Sequence, residues 1–304
     1  MAVRALITGA TGFAGRHLAA HCRDAGDDVI ELARSGTPGT DLLDARATRD
    51  AISRAAPDVV YHLAAQAHVG ESWRDPAYTL AVNSTSTLNL LEAVRLQTPE
   101  AAVLVASSGE VYGAPDALPV AEDAPLRPQN PYAVSKASAD LLAGFYADGH
   151  GLNVVRARAF NHAGPGQPPS YAVSNLAHQF ATSLQAGNDP VRIVTGNPAT
   201  RRDYTDVRDV VRAYRLLVQR GCSGIYNVCS GSSASTADLV SALAQAARAR
   251  AEHVADPALI RPNEVLEIRG SCQKLSQETG WQPELELEQT LRDALDGWRR
   301  ELAA

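Results

Sequence analysis

Short runs of β-branched and aliphatic residues recur along this chain, separated by longer stretches whose apolar positions follow helical spacing. The first run covers residues 3–7 and meets a glycine-rich turn at once. A helical pattern then continues to residues 25–26, and a second apolar run occupies 29–32. Further runs at 58–62, 103–106 and 153–158 alternate with helices predicted at 84–96 and 131–147. Asn83 is expected to open the first of these two helices, with Leu88, Leu91 and Ala93 turned inward. Strands and helices alternating at this spacing predict an α/β fold, a Rossmann-type doubly wound parallel sheet. Its ligand would sit outside the carboxyl ends of the strands.

Alternation continues less regularly in the second half. A helix is predicted at 171–185, strands at 191–194 and 225–228, and a helix at 236–249. The closing helix carries Leu287, Leu291, Leu295, Trp298 and Leu302 along one stripe, so it should pack on the body. We expect a cofactor-binding domain from 1–165 plus about 207–228. A smaller α/β substrate-binding domain would take about 166–206 plus 229–304.

Composition narrows the classes. The chain has 304 residues, a net charge of -6 and 45% hydrophobic residues. That charge argues against sequence-independent nucleic-acid binding, which needs a basic footprint. No apolar run approaches the roughly 18 residues of a membrane span. The first strand begins too early to leave room for a signal peptide. Cys22, Cys222, Cys229 and Cys272 fit no zinc spacing and are expected as reduced thiols of a cytoplasmic protein, with no metal site.

Two segments carry candidate chemistry. Thr8-Gly9-Ala10-Thr11-Gly12-Phe13-Ala14-Gly15 lies between a strand and a helix, where glycines admit a tight turn and the helix N-terminus can hold a pyrophosphate. An NAD site would place a carboxylate at the end of the second strand. This chain has Ala33-Arg34 there, which suits a 2′-phosphate, so NADP(H) is favoured over NAD(H). Small residues at Leu63-Ala64-Ala65 would let a cofactor approach the backbone. Further on, Asn130 and Pro131 form a helix start, which puts Tyr132 and Lys136 on one helical face at i and i+4. A neighbouring ammonium would favour the phenolate and lower the Tyr132 pKa. The strand at 103–106 delivers Ser107 and Ser108 to the same sheet edge, Ser107 as a strand-end hydrogen bonder.

With the glycine turn, Ser108-Gly-Glu-Val-Tyr-Gly and Tyr132-x-x-x-Lys136 in this order, the chain resembles the extended short-chain dehydrogenase/reductase family over essentially its whole length. The resemblance implies that Ser108 polarises a substrate oxygen, Tyr132 is the acid/base and Lys136 also holds the nicotinamide ribose. It places Asp41 and Leu42 near the adenine and His162 near the nicotinamide. The Phe160-Asn161-His162 loop and the Arg202-Asp203-Tyr204-Thr205-Asp206-Val207-Arg208 run are most similar to the GDP-4-keto-6-deoxymannose reductases, and next to the GDP-mannose 4,6-dehydratases. Asn161, Arg202 and Arg261 would then contact the sugar diphosphate, with Asn175 and Glu264 completing the substrate-facing set and Arg208 a weaker candidate. Two arginines converging from separate segments suit a diphosphate through charge-assisted bonds, and this role is favoured over surface ion pairs of Arg202 with Asp203 and Arg261 with Glu264. Glu110 stands where the dehydratases carry the residue that removes the C5 proton. A 4,6-dehydratase or 4-epimerase therefore remains a rival, as does a non-enzymatic NADP-binding regulator. Relatives pair the two helices predicted at 84–96 and 131–147 into a four-helix dimer interface, and Leu90, Leu141 and Phe145 are candidates for it.

Overall fold

The computed structural model describes residues 2–34, 39–260 and 265–303. Its first half alternates β1 (Arg4–Thr8), α1 (Phe13–Asp24), β2 (Asp28–Leu32), α2 (Ala45–Ala55) and β3 (Val59–His62). Then come α3 (Val69–Arg74), α4 (Pro76–Leu80), α5 (Ser86–Gln97), β4 (Ala102–Ser108), α6 (Pro131–His150) and β5 (Val154–Ala159). The second half adds β6 (Asn161–Ala163), α7 (Ala172–Gln185), β7 (Val191–Thr195), β8 (Arg201–Arg202), β9 (Tyr204–Asp206), α8 (Val207–Gln219) and β10 (Gly224–Val228). It closes with β11 (Ala234–Ser235), α9 (Thr236–Ala247), β12 (Ala251–Ala255), β13 (Glu267–Ile268), α10 (Gln273–Thr279) and α11 (Leu287–Ala303).

A six-stranded sheet in the order β10-β5-β4-β3-β1-β2, parallel throughout, confirms the doubly wound expectation. The chain steps outward from β1 to β2 and returns to β3 on the other side of β1. That reversal opens a crevice at the carboxyl ends of β1 and β3, the place where such sheets take ligands. Side chains alternate across the sheet. Ile7, Leu104 and Ala157 face α1 and α8, whereas Leu6, Val103 and Val154 face α5 and α6. A separate core joins Phe180 of α7, Ile193 of β7, Leu243 of α9, and Leu291 and Leu295 of α11. Leu275 and Trp281, late in the chain, are buried in the core of the six-stranded sheet instead.

One helix departs from expectation. Asn83 does not open it. The helical run begins at Pro76, where Asp75 accepts a hydrogen bond from the Tyr78 N–H, and passes through a π-helical turn over Ala81–Thr85 into α5. Asn83 is buried, and its amide bonds Gln66 and the Ser135 hydroxyl across the cleft. The π turn holds one more residue than an α turn and so rotates the face that follows. Along α5, Leu91 and Ala93 are buried as expected, but Leu88 is exposed and Leu90 is fully buried beneath the sheet, which removes Leu90 from any dimer surface.

Candidate active site

At the end of β1 the backbone turns so sharply that two glycines are obligatory. Gly9 has φ +70, and a Cβ there would lie 2.7 Å from the Ala64 nitrogen; a Cβ on Gly15 would lie 2.1 Å from the Gly9 oxygen. Gly12 precedes α1 in extended geometry without a side-chain cap, so the first-turn N–H groups face outward, as an anion site requires. Thr11 is exposed on the turn, and Phe13 and Ala14 are half-buried where α1 begins. Across the crevice, Leu63 N–H donates to the Thr8 carbonyl and Ala64 N–H to the Thr8 hydroxyl. This brings Leu63, Ala64 and half-buried Ala65 against the glycine turn.

A buried relay lies beneath it. The Thr87 hydroxyl donates to the Asn83 carbonyl, so His62 Nε2 must donate to Thr87 (3.0 Å) and His62 Nδ1 must accept from Thr8 (2.8 Å). Burial, and secondarily the charge on Lys136, pushes the His62 pKa down to about 3, fixing one neutral tautomer.

The loop after β5 reaches back to α1. His162 stacks on Phe13 with ring centroids 6.1 Å apart, the Arg16 guanidinium donates to the Gly166 carbonyl, and His17 bonds the Pro165 carbonyl. The sequence-predicted His162 thus meets the glycine turn, and burial lowers its pKa. At the end of β2, the exposed Arg34 donates to the Tyr78 hydroxyl at 2.9 Å. Asp41 caps the Leu43 N–H, and the Leu42 carbonyl accepts from Asn89.

Ser108 ends β4, and its hydroxyl accepts the Glu110 N–H at 3.2 Å. Glu110 in turn accepts from the Asn130 side chain, whose own oxygen caps α6 at the Ala133 N–H. Ser108, Glu110 and the first turn of α6 are therefore tied into one unit, with Tyr132 at its centre. The expected lowering of the Tyr132 pKa is not found. Burial dominates and raises it; the Ser108 hydrogen bond opposes this, while Glu110 and Tyr171 add to the rise. The Lys136 ammonium is engaged elsewhere, donating to the Ala106 carbonyl at 2.7 Å, and its own burial lowers its pKa to about 8. Ser107 also differs from expectation, since its buried hydroxyl has no hydrogen-bond partner among the described residues.

Behind this unit lies a cluster that the sequence did not reveal. Arg158 of β5 makes a bidentate pair with Asp140 of α6 and donates to the Tyr112 hydroxyl, which donates to Asn227 of β10. The available signal was a pair of arginines, Arg156 and Arg158, inside a strand whose other residues are apolar and buried.

On the far side of the cleft, the expected substrate residues are less concentrated. Asn161 is exposed on β6, and Asn175 lies on the exposed face of α7, donating to the Pro169 carbonyl. Arg202 donates to the carbonyls of Arg201 and Val265. It is not paired with Asp203, whose buried carboxylate accepts from the N–H groups of Ser230, Gly231 and Gly270. Arg208 is held by Asp206 and Asp293, which makes it structural. Arg261 and Glu264 lie outside the described residues. Among the described residues no group of three or more His, Cys, Asp or Glu side chains could hold a metal ion, and no helix is long and apolar enough to cross a membrane.

A glycine turn at the β1 switch point, with serine, tyrosine and lysine converging from β4 and α6, defines an extended short-chain dehydrogenase/reductase, a class built around a nicotinamide cofactor. Within that class, the chain belongs to the family described as GDP-mannose 4,6 dehydratase, whose model matches residues 6–294. It is 40% identical to the GDP-6-deoxy-D-mannose reductase of Pseudomonas aeruginosa, with 98% of each chain covered. It is 30% identical to the UDP-glucose 4-epimerase of Mycolicibacterium smegmatis, covering 98% of this chain and 99% of that one. Among solved structures, the RMD protein of Pseudomonas aeruginosa complexed with NADPH superposes with a TM-score of 0.88 at 38% identity, covering 98% and 99% of the two chains. The UDP-glucose 4-epimerase of Thermus thermophilus complexed with NAD gives 0.86 at 31% identity, covering 97% and 98%.

Proposed function

We propose that this protein reduces the C4 keto group of a nucleotide-linked 4-keto-6-deoxyhexose, GDP-4-keto-6-deoxymannose, using NADPH. The product is a GDP-6-deoxyhexose such as GDP-rhamnose or GDP-talose. The observation that carries this reading is full-length 40% identity to a GDP-6-deoxy-D-mannose reductase, joined to a complete Ser108, Tyr132 and Lys136 set. The set also speaks against a silent regulator, which has no use for a proton donor.

The site fits the cofactor: the Gly9 and Gly15 contacts leave a turn that no Cβ could enter, and the first turn of α1 presents free N–H groups. Gly9, Thr11, Gly12, Phe13, Ala14 and Gly15 would hold the pyrophosphate, Asp41 and Leu42 the adenine, and Leu63, Ala64 and Ala65 the wall of the crevice. Arg34 would meet a 2′-phosphate, which favours NADP(H) over NAD(H). Tyr132, Lys136 and His162 would flank the nicotinamide ribose. NADPH supplies the hydride that reaches C4. The protein's own part is acid catalysis. Burial keeps Tyr132 as the phenol, the form that can donate a proton to the carbonyl oxygen. Ser108 donates a hydrogen bond to the developing alkoxide, and Lys136, held at the Ala106 carbonyl on the same helical face, would order the nicotinamide ribose. Asn161, Asn175, Arg202, Arg261 and Glu264 form the side facing the nucleotide sugar.

The same reading assigns the cofactor to residues 1–165 plus about 207–228, and the sugar to about 166–206 plus 229–304, in a cytoplasmic enzyme. It also proposes a homodimer built from α5 and α6, where Leu141 and Phe145 are 61% and 59% exposed.

The decisive assay follows absorbance at the nicotinamide band with GDP-4-keto-6-deoxymannose added. Stoichiometric loss of NADPH is expected; a rearranged sugar without that loss would make the protein an epimerase or dehydratase. Glu110 favours the dehydratase as a second reading, because its carboxylate adjoins the Ser108 and Tyr132 unit. We assign it instead to holding Asn130 and a sugar hydroxyl. Glu110→Gln should therefore retain a substantial fraction of the reduction, and wild-type protein given GDP-mannose and NADP should form no 4-keto-6-deoxy product.

A further inference from the structure

His68, in the loop between β3 and α3, and Tyr171, just before α7, come from separate parts of the chain and meet ring to ring. His68 follows the Leu63-Ala64-Ala65 wall and caps α3, its Nδ1 accepting the Glu71 N–H at 3.2 Å. An N–H can only donate, so the neutral ring must carry its proton on Nε2, which points at the Ser170 carbonyl 3.3 Å away. The same ring meets Tyr171 edge-on, with centroids 5.9 Å apart.

Tyr171 is held from its other side as well. Its N–H donates to the Pro168 carbonyl and its carbonyl accepts the Asn175 N–H in the first turn of α7. The residue is half-buried, yet among the described residues its hydroxyl makes no hydrogen bond. The pair is tied to the helix that carries Tyr132: the Gln66 side chain donates to the His68 carbonyl at 3.1 Å, the Gln66 backbone bonds the Asn83 amide, and Asn83 donates to the Ser135 hydroxyl of α6 at 2.8 Å. A phenol fixed against a ring tied to α6, its hydroxyl uncommitted among the described residues, is suited to one polar group of a substrate.

We propose that Tyr171 hydrogen-bonds a ring hydroxyl of the hexose, and that His68 is a positioning residue that holds it there. This rests on the nucleotide-sugar reading above and deepens it. A single neutral hydrogen bond corresponds to about a 3–10-fold effect on affinity. The contact should act on the sugar alone and leave the nucleotide and the cofactor untouched.

Calorimetric titration of the NADPH-loaded protein with GDP and with GDP-mannose tests the assignment without turnover. Tyr171→Phe keeps the ring and its packing on His68. It should weaken GDP-mannose about 3–10-fold while GDP and NADPH bind as in wild type. In turnover, KM for the keto sugar should rise by a similar factor with kcat within about twofold of wild type. His68→Gln should show the same hexose-selective loss. Unchanged affinity for GDP-mannose in Tyr171→Phe would overturn the proposal, and so would an equal loss on GDP and GDP-mannose in either variant. Wild-type protein that binds neither nucleotide overturns the reductase reading itself, and this inference with it.

Discussion

A phenol that must give up a proton is more useful as a phenol than as a phenolate. Burial of Tyr132 achieves this, raising its pKa against the opposing pull of Ser108. Tyr132→Phe should therefore cut kcat by about 10²–10⁴-fold with NADPH affinity nearly unchanged, as stopped-flow turnover and fluorescence titration would show. Near-normal turnover would remove Tyr132 from the mechanism. At the other end of the cofactor, Arg34→Ala should shrink the preference for NADPH over NADH, and a wild-type preference for NADH would contradict our reading of the β2 end. His62 makes a pH-dependent contribution of its own. Its pKa is held at about 3 in the native protein against 6.5 in the unfolded chain. Between those values the unfolded chain binds a proton that the native state does not, so stability falls as pH falls. Above pH 6.5 the contribution is fully present. Urea unfolding should show wild type losing stability relative to His62→Gln by about 1.4 kcal/mol per pH unit between the two values. A constant difference across that range would mean that His62 is charged in the native protein.

Elements hold these residues in place through contacts of two kinds. The glycine turn depends on steric room: a Gly15 Cβ would stand 2.1 Å from the Gly9 oxygen. Gly15→Ala must therefore shift the turn, and NADPH binding should drop at least tenfold by titration, with the circular dichroism of the sheet retained. The α6 helix depends on charge. Arg158 and Asp140 have side chains 4% and 0% exposed, so removing one leaves the other buried and uncompensated. Asp140→Ala should cost about 3–5 kcal/mol in denaturant unfolding. A loss below about 1 kcal/mol would mean that the pair is solvated. The π turn before α5 belongs to the same scale, since it holds the buried Asn83 side chain between Gln66 and the Ser135 hydroxyl of α6.

At the scale of the whole molecule, light scattering at micromolar concentration should find a dimer, and Leu141→Asp with Phe145→Asp should release a folded monomer. A wild-type monomer would exclude the four-helix interface. Hydrophobic period, glycine spacing and the Asn130-Pro131 pair, read from the sequence alone, were enough to determine the parallel sheet, the glycine turn and the capped start of α6, and three short motifs in order carried the resemblance to the family, because each is written in residues close together in the chain. Ser108, Tyr132 and Lys136 could be singled out as candidates for that reason. What only the tertiary structure decided depends on residues far apart. Burial reversed the expected shift at Tyr132, Ala106 took the Lys136 ammonium, backbone amides rather than Arg202 satisfied Asp203, and His68 met a partner 102 positions away. Desolvation and long-range hydrogen bonding follow from the packing of the whole chain, and no local pattern of residues encodes them.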